Sequence, residues 1–82
     1  MRTLAELPYP EFKLTLFGMN QKFILKFEQG TLEQVYKLAE LDMTGGIDGV
    51  FQLIDDDFIK AVEHQFSMMR AAFNLAYERH EY

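Results

Sequence analysis

The sequence predicts an α+β fold: a three-stranded antiparallel β-meander, a short helix, then a long C-terminal helix packed on one sheet face. Three observations carry this. Apolar and polar residues alternate from Glu11 to Glu28, with turn chemistry at Gly18-Met19-Asn20-Gln21. Gln29-Gly30 reads as a second tight turn. From Asp55 onward, polar residues recur every three or four positions, the spacing of one strip along a helix.

In chain order, residues 1–10 read as an extended lead-in, because Pro8 and Pro10 fix φ and disfavour helix around them. Leu4, Leu7 and Tyr9 are still available to pack on the domain. The meander is expected over 11–39. Phe12, Leu14 and Leu16 alternate with Glu11, Lys13 and Thr15, and Phe23, Leu25 and Phe27 with Lys22, Lys26 and Glu28. Each set is the inward face of a half-buried strand. Phe17 and Ile24 interrupt the polar face. Gly and Asn in the first turn tolerate positive φ, which suits a hairpin.

Thr31–Ala39 supports two readings. As a helix, Thr31 caps, Gln34 completes a capping box, and Leu32, Val35, Tyr36 and Ala39 align. As a strand, Leu32, Gln34, Tyr36 and Leu38 share one face. A two-stranded hairpin alone is marginal in water, so the strand is the expectation. Thr44-Gly45-Gly46 marks a loop, and Ile47, Val50, Phe51 and Ile54 give a short helix over 47–54 with Gly49 as its weak point. Asp55-Asp56-Asp57 suits the positive N-terminal end of the long helix, expected over 55–80, with one carboxylate capping it.

The long helix has an unusual cross-section. Lys60, Glu63, Ser67, Arg70, Asn74, Glu78 and Glu81 form a narrow polar strip. Phe58, Val62, Phe66, Met69, Phe73 and Ala76, flanked by Ile59 and Tyr77, form a stripe expected to face the sheet. Ala61, Met68, Ala72 and Leu75 make a second apolar row, displaced by roughly 80–100° on the helical wheel. Small residues allow close approach and Met adapts to irregular surfaces, so this row is the expected contact with another protein. Self-pairing of the row gives a two-fold homodimer; cover by the chain's own N-terminal segment or short helix is the alternative.

The 82 residues suit one domain, 1–82, with limited core. The chain has no cysteine, which removes disulfides, thiolate metal sites and cysteine nucleophiles and leaves oligomerisation as the usual staple of a small domain. A net charge of −5 without a basic patch argues against nucleic acid and anionic lipid. No apolar run approaches a membrane span of roughly 20 residues, and no signal core precedes Pro8, so a cytoplasmic location is expected.

Catalytic and metal motifs do not emerge. Asp42, Thr44 and Asp48 match a calcium loop at positions one, three and seven, but Ile47 stands where Gly is needed and Leu53 where Glu is needed. His64 and His80 lie too far apart on one helix to share an ion. Ser67, the only serine, lacks a nucleophile elbow. The expectation is therefore a small acidic interaction or accessory protein rather than an enzyme, with no cofactor or metal, acting as a homodimer. Two alternatives stand beside it: an inhibitor or antitoxin-like protein whose acidic face occupies a basic site, and a binder of a small apolar ligand between helix and sheet.

Overall fold

The computed structural model describes residues 1–80. Strands β1 (Arg2–Pro8), β2 (Lys13–Met19), β3 (Lys22–Gln29) and β4 (Leu32–Ala39) pair in the order β1-β2-β3-β4, each antiparallel to the next. A 3₁₀ turn at Glu40–Asp42 leads to helix α1 (Ile47–Leu53) and then to helix α2 (Asp56–Arg79). The α+β class and the order of meander, short helix and long helix are as expected, and the strand number is four rather than three.

The additional strand is the proline-flanked lead-in. Ala5 and Leu7 pair with Leu16 and Leu14, so they add to the apolar face of β2. A bulge between Thr3 and Ala5 lets Leu4 join that face, where it rests against Gly18. Pro8 is tolerated because it ends an edge strand, where a missing N–H breaks no ladder. Tyr9 N–H then donates to Phe12 C=O at 3.0 Å and turns the chain into β2.

Two tight hairpins set the register of the other strands. Met19 pairs with Lys22, so the loop is Asn20-Gln21, both with positive φ (50° and 62°), as a type I′ turn requires. Gln29 pairs with Leu32, and Gly30 supplies the positive φ (59°) at the first loop position. Segment 32–39 is a strand despite its helical propensity, because β3 offers a full ladder partner and Gln34, Tyr36 and Leu38 complete the inward face.

Phe12, Leu14, Leu16, Phe23, Leu25 and Phe27 all lie buried under Val50 of α1 and Val62 and Phe66 of α2. Phe27 is central: Phe12, Phe58 and Tyr36 meet it edge-on, with ring centroids 5.4, 5.6 and 5.9 Å away. The one buried polar side chain on this face is satisfied. Gln34 Nε2 donates to Val62 C=O at 2.9 Å, and Tyr36 O–H donates to Gln34 Oε1 at 2.7 Å. Asp55 caps α2, its Oδ1 accepting from Phe58 N–H at 2.8 Å. Gly49 proves to be a requirement of α1, since a Cβ there would lie 2.4 Å from Thr44 C=O.

Candidate interaction surface

Helix α2 is longer than the sheet it covers. Its 24 residues span about 36 Å, whereas the eight residues of β3 span about 26 Å. The helix enters over Tyr36 and Phe27, crosses Phe12 at Phe66, and leaves the sheet near Arg70. A polar relay marks the exit: Arg70 donates to Gln29 Oε1, and Gln29 Nε2 donates to Glu11 C=O at 2.7 Å. Beyond that point the helix projects, and the molecule measures 51 × 26 × 21 Å.

This projection corrects one expectation. Phe73 and Tyr77 were expected on or beside the sheet-facing stripe, yet each is 63% exposed: Phe73 only flanks the Gln29–Leu32 turn at the end of the sheet, with which it lines a groove, and Tyr77 lies one helical turn further on. Ala76, on the same stripe, is half-buried. The second row also lies open: Met68 is 52% and Leu75 57% exposed, and Ala61 and Ala72 are exposed as well. The N-terminal segment does not reach this row, being committed to β1 at the sheet edge. Between Ala71 and Tyr77, then, apolar side chains occupy every sector of the helix except that of Asn74, and Glu78, Arg79 and His80 follow as polar residues. Ala71, Ala72 and Ala76 are strong helix formers, which lets the segment stay helical without a sheet beneath it.

The polar surfaces are segregated. Lys13, Lys22, Lys26 and Lys37 lie on the outer sheet face, with Lys13 bridging Glu6 at 3.1 Å and Lys26 approaching Glu33 at 3.8 Å. Within the apolar interruption there, Ile24 is buried and Val35 is about half exposed. Between Glu40 and His80, eight carboxylates face three Lys and Arg side chains, so the acidity belongs to the helical half. A groove of about 340 Å³ opens between α2 and the sheet, lined by Leu25, Tyr36, Leu38, Leu53, Asp55 and Phe58.

Among the described residues, no three His, Asp or Glu side chains are grouped to hold a metal ion. Among the same residues, no helix is long and apolar enough to cross a membrane. Fold and surface together define an α+β domain with a projecting, two-faced apolar helix. Comparison with protein-family models, curated proteins and solved structures finds no match.

Proposed function

We propose that this chain is a protein–protein interaction module whose working element is the projecting C-terminal half of α2, and that it acts as a homodimer. One observation carries the reading: Met68, Phe73, Leu75 and Tyr77 are all more than half exposed on one rigid helix segment. They lie on two sides of the helix, Phe73 and Tyr77 on one and Met68 and Leu75 nearly opposite, and each pair leaves roughly 200–300 Å² of largely apolar side chain in water. Ala72 lies between Met68 and Leu75 in the second row and lets a partner backbone come close. Exposing this surface costs the monomer solubility without adding to its core, and contact with a protein partner accounts for it.

The test is the molar mass of the full chain by light scattering and sedimentation between about 5 and 500 µM, a range that brackets interfaces of this modest size. A mass that rises toward twice the 9.6 kDa of the chain supports the reading. A constant monomer mass overturns the homodimer.

A second reading has its own support. Four of the five lysines lie on the sheet, and Asp55, Asp56, Asp57, Glu63 and Glu78 are exposed on the helical half. An acidic face of this kind suits a basic site on another protein, and such binding weakens steeply with added salt.

A further inference from the structure

We infer that the homodimer forms by antiparallel pairing of β4 with the β4 of a second copy, about a two-fold axis at Val35. The inference rests on the reading of the chain as a homodimer and names the contact that joins the copies.

The two edges of the sheet differ. β1 ends in Pro8 and carries the bulge between Thr3 and Ala5, both of which blunt an edge against further pairing. β4 runs for eight residues without proline, glycine or a break in register. Gln29 and Leu32 close a two-residue hairpin and therefore exchange both hydrogen bonds. Counting on in twos, Gln34, Tyr36 and Leu38 bond to β3, and Glu33, Val35 and Lys37 turn their N–H and C=O groups outward. No donor or acceptor among the described residues bonds to these outward groups. An extended chain is the partner that matches their spacing.

The side chains of β4 select a second copy as that chain. The ladder forms only where outward residues come opposite one another. An axis at Glu33 or Lys37 then sets like charges face to face, and one at Gln34 or Tyr36 sets a charge against Val35. An axis at Val35 sets each Glu33 against the Lys37 of the other copy, on both sides of Val35 itself, which is 47% exposed. On the inward face the same register sets Leu32 against Leu38, and about six backbone hydrogen bonds form. Glu33 already lies 3.8 Å from Lys26, so the pairing places each Glu33 between two lysines. The two α2 helices come to lie on the same side of one continuous sheet. Phe66 leans toward Phe12 at the β2 side, and Arg70 toward Gln29, which bonds to Glu11 there. The opposite flank of α2, with Ala61, Met68 and Ala72, therefore faces the β4 edge. Gln34, next to Val35, bonds to Val62, which puts the small side chain of Ala61 nearest the axis. Strand and helix layers together give a contact about 23 Å long, the size of a weak, micromolar interface.

The experiment is sedimentation equilibrium on the full chain and on Val35→Pro, Glu33→Lys, Lys37→Glu and the double variant Glu33→Lys/Lys37→Glu, with far-UV circular dichroism on each. All three positions are exposed, and the Val35 N–H takes no part in the ladder with β3, so the fold signal is expected to stay. Val35→Pro should raise the dimer Kd by about 100-fold or more, because it removes the bonds at the axis and inserts a ring there. Each charge reversal should raise it by about 10-fold or more, and the double variant should return to within about threefold of wild type. An equimolar mixture of the two single reversals should associate as wild type does, since each supplies the charges that the other lacks. The charge variants leave the backbone intact and carry the decision independently of Val35→Pro. Single reversals that dimerise like wild type, or a double variant no better than the singles, overturn the β4 pairing while sparing the homodimer. A monomeric wild type overturns both readings.

Discussion

Phe66 and Phe73 occupy equivalent positions on the same helical stripe, and their substitution by Ala should have very unequal consequences for the monomer. Phe66 is fully buried, 6.1 Å from the ring of Phe12. Removing its ring loses transfer energy and leaves a cavity between helix and sheet, about 3–5 kcal/mol together. A chain of this size has a total stability of about 4–12 kcal/mol, so Phe66→Ala should lower Tm by more than about 12 °C or unfold the protein at ambient temperature. Phe73 is 63% exposed, so about a third of its burial energy, ~0.5–1 kcal/mol, is at stake. Alanine is the better helix former by about 0.5 kcal/mol, and the two terms nearly cancel. Urea unfolding followed by circular dichroism at about 1 µM, a dilution chosen to hold the chain monomeric at the expected affinity, measures both. A loss above about 2 kcal/mol for Phe73→Ala would mean that the projection packs on its own chain. A loss under about 1 kcal/mol for Phe66→Ala would remove Phe66 from the core.

Three further substitutions test the scaffold. Gly49→Ala follows helix propensity toward greater stability by about 1 kcal/mol, yet its Cβ would meet the Thr44 carbonyl at 2.4 Å. Net destabilisation of about 1–3 kcal/mol is expected in a thermal melt, and a stabilised variant refutes the placement of the Thr44 loop against α1. Gln21→Gly relieves a left-handed conformation (φ 62°) in the first hairpin and should stabilise by about 1 kcal/mol; a lower Tm refutes the I′ geometry. Gln34→Ala removes the donor to Val62 and leaves Tyr36 O–H unpartnered, for a loss of about 2 kcal/mol, whereas Tyr36→Phe should cost about 1. From one connected relay the double variant is expected to lose no more than Gln34→Ala alone, and simple additivity refutes it.

Much of this fold is legible in the sequence because one physical signal dominates each element. Period-two alternation placed Phe12–Leu16 and Phe23–Phe27 inward, and the aspartates before Phe58 marked the start of α2, where Asp55 caps. The first strand was obscured by its prolines. Pro8 reads as a breaker unless the strand lies at an edge, and edge position is a tertiary fact. The bulge at Leu4 also disturbs the alternation that would have revealed it. The exposure of Phe73 and Tyr77 was missed for a different reason. A helical wheel records direction but not length, and both residues do point the way Phe66 points. A comparison of the expected helix, about 36 Å, with strands of seven or eight residues would have shown the sheet ending first.

The projection also bears on how the two halves of α2 are stabilised. Up to Arg70 the helix is held by the core, by the Asp55 cap and by the Gln34 and Gln29 hydrogen bonds. From Ala71 to Arg79 it has its own backbone ladder, the propensity of its alanines and the partial burial of Phe73 beside the Gln29–Leu32 turn. Helices of this length are marginal in water by themselves, and here the folded half serves as the nucleus from which the last turns propagate. Fraying from the C-terminal end therefore costs little in the monomer. Contact of the projection with a partner would suppress it, because a frayed turn cannot present its apolar side chains. Helicity of the last turns and dimer formation then become one linked equilibrium. Amide exchange between Ala71 and Arg79 should slow as concentration rises through the dimer Kd, while exchange at Val62 and Phe66 tracks global unfolding. Protection in the last turns that is independent of concentration would separate the two processes and leave the projection rigid in its own right.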